Sequence, residues 1–257
     1  TEQFYEDLTD RVEMLPGVVS VALTSDVPLD RGGSVEIVAP EGYVFPPGQD
    51  ATRVFSATVD EHYFDTMRTD IVRGRSFSPD DDRDAPLVAI VNETFANLYW
   101  PNQDAVGQRL RLETGQSQVI AVVGVARTGK YLWVGESPRP FLYLPFDQRP
   151  RGRMSLLVET ASTDAAVTSS GQVIADLQAR ILPEVLASYP GVFYTFEGAI
   201  AEQVDAIAGL QRGFVLALLM IFALLAVPLR SYLQPIIIMS AIPFGLVGAV
   251  WGHFIMG

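Results

Sequence analysis

The chain has 257 residues, 49% of them hydrophobic, with 30 acidic residues against 18 basic ones and no cysteine. A net charge of −12 argues against binding nucleic acid or anionic lipid through charge. The missing cysteine excludes disulfides, thiol nucleophiles and cysteine-based metal sites, and fits an oxidising compartment.

From the N-terminus, Phe4, Leu8, Val12 and Leu15 recur at helical spacing, so Thr1–Leu15 reads as a short helix ended by Pro16-Gly17. Val18–Thr24 alternates like a strand, Asp30–Gly33 reads as a turn, and Ser34–Val38 and Arg53–Val59 read as strands around a Pro- and Gly-rich loop, Pro40–Asp50. Glu61–Met67 is a predicted short helix, followed by a turn and acidic run from Gly74 to Asp82. Leu87–Val91 is an apolar strand, and Asn92 is placed to cap a helix over Glu93–Tyr99 that Pro101 terminates. Gln108–Leu112, Gln118–Ala126, Pro140–Pro145 and Met154–Glu159 are further strands. Strands outnumber helices in a mixed order, which predicts an α+β domain.

Small and polar residues cluster at Ala161–Ser170, as in a linker. Gln172–Ser188 reads as an amphipathic helix, Pro190-Gly191 as a turn, Val192–Phe196 as a strand and Ala199–Gln211 as a helix. Gly213–Leu229 then runs 17 residues without a charge, and Ser231–Gly257 runs 27 with His253 as its one ionisable group. A span of roughly 17–25 apolar residues crosses a hydrocarbon layer about 30 Å thick, so both runs predict membrane helices joined as a hairpin. The organisation expected is residues 1–160, an α+β domain; 161–211, a helix–strand–helix segment; and 212–257, two transmembrane helices. The chain lacks an initiator Met and ends on a span, which reads as a fragment of something larger.

Several motifs bear on chemistry. Gly124 to Lys130 has the G-x-x-x-x-G-K spacing of a phosphate-binding loop, but Tyr131 stands where a Ser or Thr is required, and Pro138 and Pro140 preclude the helix that should follow. A β-turn is the expected reading. Asp80–Asp82 matches no calcium loop and reads as a solvated loop. His62 has no nucleophile pattern nearby. No catalytic, cofactor or metal constellation emerges, so no enzyme activity is expected. In the second span Gly245, Gly248, Gly252 and His253 are candidates for helix packing, Gly248 and Gly252 forming a G-x-x-x-G pair. Arg230 lies in the short turn between the spans and places that turn in the cytoplasm by the positive-inside rule, leaving 1–211 in the periplasm.

Two resemblances follow from ordered motifs. Leu15–Val21, Tyr63-Phe64, Arg73–Phe77 with Asp80-Asp81, Val88–Ala96, Trp100-Pro101 with Val106-Gly107, Val123–Val125 and Pro140–Pro145 together resemble the periplasmic core domain of MacB-type ABC permeases, over residues 12–160. Leu182-Pro183, Tyr189–Val192, Phe196–Gly198, Leu224–Pro228, Ser231–Pro235, Ile242–Gly245 and Gly252-His253 resemble an RND efflux permease of the AcrB-like class, over residues 163–257. The combination departs from both families, as a natural fusion or an artefactual join of two transporter genes would. The resemblance implies a part of an inner-membrane export permease that carries small molecules within a larger assembly. It implies as partners membrane lipid, other permease subunits or a periplasmic adaptor and outer-membrane exit protein, and a separate ATPase. The spans lack the charged relay residues of RND permeases and no usable Walker motif is present. A membrane-tethered interaction module without transport activity is the alternative.

Overall fold

The computed structural model describes residues 2–29, 33–113, 117–161, 166–195, 213, 217–225 and 233–234. Two compact units are distinguished, Thr1–Gly191 and Val192–Gly257. In the first, the elements in order are α1 (Glu2–Glu13), β1 (Val18–Thr24), β2 (Ser34–Pro40), β3 (Thr52–Val59), α2 (Tyr63–Thr66), β4 (Ile71–Gly74), β5 (Val88–Asn92), α3 (Glu93–Tyr99), β6 (Arg109–Leu112), β7 (Gln118–Ala126), β8 (Phe141–Pro145), β9 (Ser155–Thr160), α4 (Ala166–Asp176), a π-helical turn (Leu177–Ile181) and α5 (Leu182–Ser188). The α+β expectation holds for this unit.

The strand order is β2-β6-β7-β5-β8-β3-β1-β9, with β4 paired to β7 and β2 also paired to β3. The last pairing closes a circuit of six strands, β2-β6-β7-β5-β8-β3. Closure leaves those strands no free ladder along the circuit, the usual solution to the problem of exposed edges. Two pairings are parallel, β3 with β8 and β5 with β7; the others are antiparallel.

Every residue of β5 and β8 is buried. Strands covered on both faces need continuous apolar sequence, and Val-Ala-Ile-Val and Phe-Leu-Tyr-Leu supply it. Alternation then divides their side chains between two cores. Ala89, Val91, Leu142 and Leu144 pack with Phe95, Tyr99 and Trp100 of the α3 region. Val88, Ile90, Phe141 and Tyr143 pack with Tyr63, Phe64, Phe77 and Tyr131 on the other face. Apart from Leu15–Val21, the motifs that carried the first resemblance each place residues in these two cores.

Beside the circuit, β9 pairs antiparallel with β1 along its length. Helix α1 buries Phe4, Tyr5, Leu8 and Val12. The C-terminal helices lie against it: Phe4 meets the Tyr189 ring edge-on at 5.5 Å, Tyr189 Oη bonds Asp7 Oδ2 at 2.8 Å, and Arg11 pairs with Glu184 at 3.0 Å. The π turn falls just before Pro183, which cannot donate to the helical ladder and whose ring crowds the preceding turn.

Three expectations change. A strand missed by pattern reading, β4, lies before the predicted turn and ends on its first residue, Gly74. Residues 166–170, expected within a linker, are the first turn and more of α4, because Val173, Leu177, Ile181 and Val185 are buried further along and carry the helix through a poor helix-forming sequence. Val192–Thr195 is not strand; Phe193 is 92% exposed there and has no ladder partner among the described residues. Asp30–Arg31–Gly32 of the predicted turn, the 199–211 helix and residues 235–257 lie outside the described residues. Of the first expected span, residues 213 and 217–225 are described, as helix. Among the described residues no helix is long and apolar enough to cross a membrane, so the two-helix hairpin is not displayed by this structure.

At β4–β7, Gly74 faces Gly124 across the ladder. A Cβ on Gly124 would lie 2.2 Å from the Arg75 carbonyl oxygen, and one on Gly74, at φ +74°, would lie 2.2 Å from that of Val123. Both contacts are with backbone, so neither can be relieved by a side-chain rotation. Gly124→Ala is therefore expected to cost about 2–3 kcal/mol in urea unfolding, whereas Leu98→Ala, at a position 47% exposed, shifts stability by less than about 0.5 kcal/mol.

Candidate functional site

The four predicted packing residues, Gly245, Gly248, Gly252 and His253, and the turn residue Arg230 lie outside the described residues. Within the first unit, the segment from β7 to β8 is where the phosphate-loop spacing occurs, so its geometry decides what that sequence is for.

Asn92 ends β5 and caps α3. Its side chain is fully buried and uses all four hydrogen-bonding positions. Oδ1 accepts from Phe95 N at 2.9 Å and Phe141 N at 3.1 Å; Nδ2 donates to Arg139 O at 2.8 Å and Tyr131 Oη at 3.1 Å. The predicted cap is therefore present and also ties α3 to β8 and to the 127–140 loop. Tyr131 stacks on Phe141 at 3.9 Å, and its oxygen further accepts from Gly129 N at 3.3 Å and from Tyr143 Oη at 3.2 Å. Burial raises the pKa of Tyr131 and raises that of Tyr143 further, so both phenols stay protonated through the physiological range.

Glu136 is 3% exposed. Its carboxylate accepts from the amides of Tyr131 and Leu132 and faces Arg139 Nε at 2.7 Å. Arg139 in turn lies over the Phe55 ring, 5.1 Å from its centroid. Lys130, the chain's single lysine, donates to the Glu136 carbonyl. Thr128 N donates to Glu93 Oε2 at 3.1 Å.

This arrangement disposes of a phosphate cradle. Gly124 lies inside β7, pressed against Arg75; the amides of Thr128 and Gly129 and the Lys130 ammonium are already committed to protein acceptors; and Tyr131, Leu132 and the residues after them form no helix. The loop is a structural clasp. On its outer side, Trp133 and Val134 are 61% and 74% exposed. Glu136 escaped pattern reading, although it is the sole acidic residue between Glu113 and Asp147.

The acidic run has a similar resolution. Asp81 is buried and holds Arg75 through two bonds of 2.6 and 2.7 Å, while accepting from Ser78 N at 3.0 Å. Asp82 accepts from the amides of Asp84 and Ala85. Burial works against charge on Asp81, but the Arg75 bonds and the Ser78 amide outweigh it and hold the carboxyl below the usual range. His62 is exposed and meets Glu61 at 3.7 Å. Asp60, beside it, is buried, with one carboxyl oxygen bonded to Leu23 N at 2.8 Å and the other without a hydrogen bond among the described residues.

Comparison with known proteins bears on this geometry. Residues 3–182 match the profile of the MacB-like periplasmic core domain, and residues 149–257 match that of the AcrB/AcrD/AcrF family. The cation efflux system protein CusA of Escherichia coli, in both the O157:H7 and K12 forms, is 27% identical over 162 residues, 62% of this chain. The chain spans 14% of the length of those relatives. Among solved structures, the periplasmic region of MacB from Actinobacillus actinomycetemcomitans is 16% identical with a TM-score of 0.47, over 67% of this chain and 73% of that one. The extracellular domain of the noncanonic ABC-type transporter YknZ from Gram-positive bacteria is 17% identical with a TM-score of 0.45, over 64% and 76%.

Two outcomes test the polar clasps. Asn92→Ala strands buried donors and acceptors on three elements and is expected to lower unfolding free energy by at least about 3 kcal/mol in a denaturant titration. Asp81 has a lowered folded pKa, so its contribution is present above the unfolded value near 3.8 and is lost as pH falls through the folded value. The stability difference between the native chain and Asp81→Asn should therefore be full at pH 7 and shrink progressively below about pH 4.

Proposed function

Because the chain belongs to the MacB-like periplasmic core domain family, with a match over residues 3–182, we propose that it is part of a bacterial export permease, a periplasmic domain carried on a two-helix membrane anchor. It works within a larger assembly that moves small molecules out of the cell, in the inner membrane, with residues 1–211 periplasmic. The observation that carries this is the overlap of the two family matches: both are permease families, and both include residues 149–182. Those residues hold β9 and α4, built into the same unit as α1 and β1.

The anchor is assigned to the apolar runs 213–229 and 231–257. In the described stretch 217–225, Leu219, Met220, Ile221 and Leu224 are exposed, and half-buried Leu218 and Phe222 occupy the remaining side, so apolar residues ring the helix. A helix apolar on every side suits lipid rather than water. Arg230 then marks a cytoplasmic turn, and Gly245, Gly248, Gly252 and His253 pack the second helix against neighbours. The working organisation is 1–160 for the MacB-like core, 161–211 for the RND-like periplasmic segment and 212–257 for the anchor. Energy would come from a separate ATPase or from other permease subunits, with a periplasmic adaptor and an outer-membrane exit protein as further partners. No step of chemistry is assigned to the periplasmic domain, whose buried polar groups serve the fold.

A second reading, a membrane-tethered interaction module without transport, draws support from exposed Trp133 and Val134 on a clasped and therefore rigid loop.

The absence of native cysteine makes the topology directly testable. Single variants Leu98→Cys and Ser231→Cys are exposed to a membrane-impermeant maleimide in spheroplasts. Labelling of Leu98→Cys in intact cells, with Ser231→Cys labelled only after lysis, is expected. The reverse pattern overturns the orientation, and release of the chain from membranes by alkaline carbonate overturns the anchor.

A further inference from the structure

The six-strand circuit and the β1–β9 pair form one sheet, but the seam between them is narrow. In-register pairing of β1 with β3 is confined to Thr24 opposite Val59. Around that point Ser25 N donates to Thr58 O at 2.8 Å and Asp60 N donates to Leu23 O at 3.2 Å. Two side chains add hydrogen bonds here: Ser25 Oγ accepts from Thr58 N at 2.9 Å, and Asp60 Oδ2 accepts from Leu23 N at 2.8 Å, while Ala22 and Leu157 pack against Tyr63 and Phe64 and Arg68 pairs with Glu159. On either side the pairing is extensive, β9 with β1 on one flank and β2 and β8 with β3 on the other. Asp60 is the ionisable group of this seam. It is 9% exposed, and its Oδ1 is buried with no partner among the described residues.

We propose that Asp60 is a proton-operated latch on this seam: with its carboxyl neutral, the β1–β9 pair is held on the six-strand circuit, and ionisation loosens that pair while the circuit stays folded.

The chemistry is that of a buried carboxyl with one satisfied oxygen. As a neutral acid it keeps the Leu23 bond and leaves no charge in the interior. As a carboxylate it keeps that bond but leaves its second oxygen charged and dry, a state that opening of the seam would relieve by admitting water. The surrounding charges do little to offset this. On its own segment Glu61 opposes ionisation, while exposed His62 favours it through its ring and, weakly, through its backbone amide. Helix α2 carries exposed Asp65, and β1 offers Asp60 the Leu23 amide. Past the end of β8, Asp147 feels Glu61, Glu6 of α1 and Asp82, with Arg83 opposing them. Burial, opposed by the Leu23 amide and by His62, pushes the Asp60 pKa up to about 7, so the transition falls where cellular compartments operate. An open seam restores the carboxyl to its ordinary value near 3.8. The closed form therefore binds more protons between about pH 4 and pH 7, and closure weakens as pH rises through that window, then levels off.

The experiment is amide hydrogen exchange on the full chain in detergent micelles at pH 5, 6, 7 and 8, with rates divided by the intrinsic rate at each pH. Protection at residues 18–24 and 155–160 is expected to fall at least about tenfold from pH 5 to pH 7 and little beyond, while protection in β5, residues 88–92, stays level. Asp60→Asn keeps an oxygen for Leu23 N and should abolish the pH response at β1 and β9; Asp147→Asn should leave it in place. A response shared equally by β5, no response at β1 and β9, or persistence of the response in Asp60→Asn overturns the proposal. If Asp60→Asn does not fold, the contrast between strands in the native chain and in Asp147→Asn decides by the same criteria.

Discussion

The side chain of Asn92 has no route to water, and much of the six-strand circuit is arranged around its four hydrogen-bonding positions. A buried amide is tolerated when all its donors and acceptors are used, and becomes a liability when any is lost. Here each bond reaches a different piece of backbone or side chain: the first turn of α3, the start of β8, the carbonyl of Arg139 and the phenol of Tyr131. The position of Tyr131 fixes the 127–140 loop, and its stack on Phe141 places one wall of the second core. A hydrophobic core of similar volume would hold the same strands together but would tolerate slippage between them. The amide specifies register, because a one-residue shift of β8 would take the Phe141 amide out of reach.

Charge is handled in the same economical way. An acidic chain repels itself, yet several of its arginines are spent locally on single carboxylates rather than gathered into a basic patch. Arg75 holds Asp81, Arg139 holds Glu136 and Arg151 holds Glu36, and each of these three acids is nearly inaccessible. Pairing of this kind adds little net stability compared with apolar side chains of the same size, but removal of one partner leaves a buried charge uncompensated. The pairs therefore fix loop conformations. Asp60 is the exception, a buried carboxyl with no arginine beside it, and it sits where the sheet is narrowest.

Legibility in the sequence followed the range of the interaction that decides each element. Helix α3 was readable to the residue because its determinants are local: Asn92 as cap, Phe95 and Tyr99 on one face, Pro101 beyond the end. Strands β1 and β7 were readable from their own apolar runs. Strand β4 was not, since three of its four residues are exposed and its existence depends on the close approach of Gly74 to Gly124, some fifty residues away. The phosphate-loop spacing misled in form but not in outcome, because Tyr131 already contradicted it; what sequence could not show is that Tyr131 is inside. Burial of Glu136 and of Asp60 was equally invisible, since a single acid after an apolar strand reads as a turn residue unless its surroundings are known. The packing candidates in the second half stand on sequence pattern and resemblance alone.

The double match over residues 149–182 constrains how the two families can have been joined. Helix α1 presents Phe4, Leu8 and Val12 to the interior, and part of what covers it lies far downstream, in the π turn and α5. Strand β1 has its long antiparallel partner only in β9. A chain cut after Thr160 would keep β9 but uncover the apolar face of α1 toward Ile181 and Val185. A chain cut before Ser155 would also leave β1 as an open edge. The segment shared by the two families is thus the closing layer of the first unit rather than a spacer between two finished domains. Any join between the families, natural or artefactual, yields a folded unit only if the incoming segment can supply both an edge strand for β1 and an apolar helix face for α1, and residues 155–188 supply both.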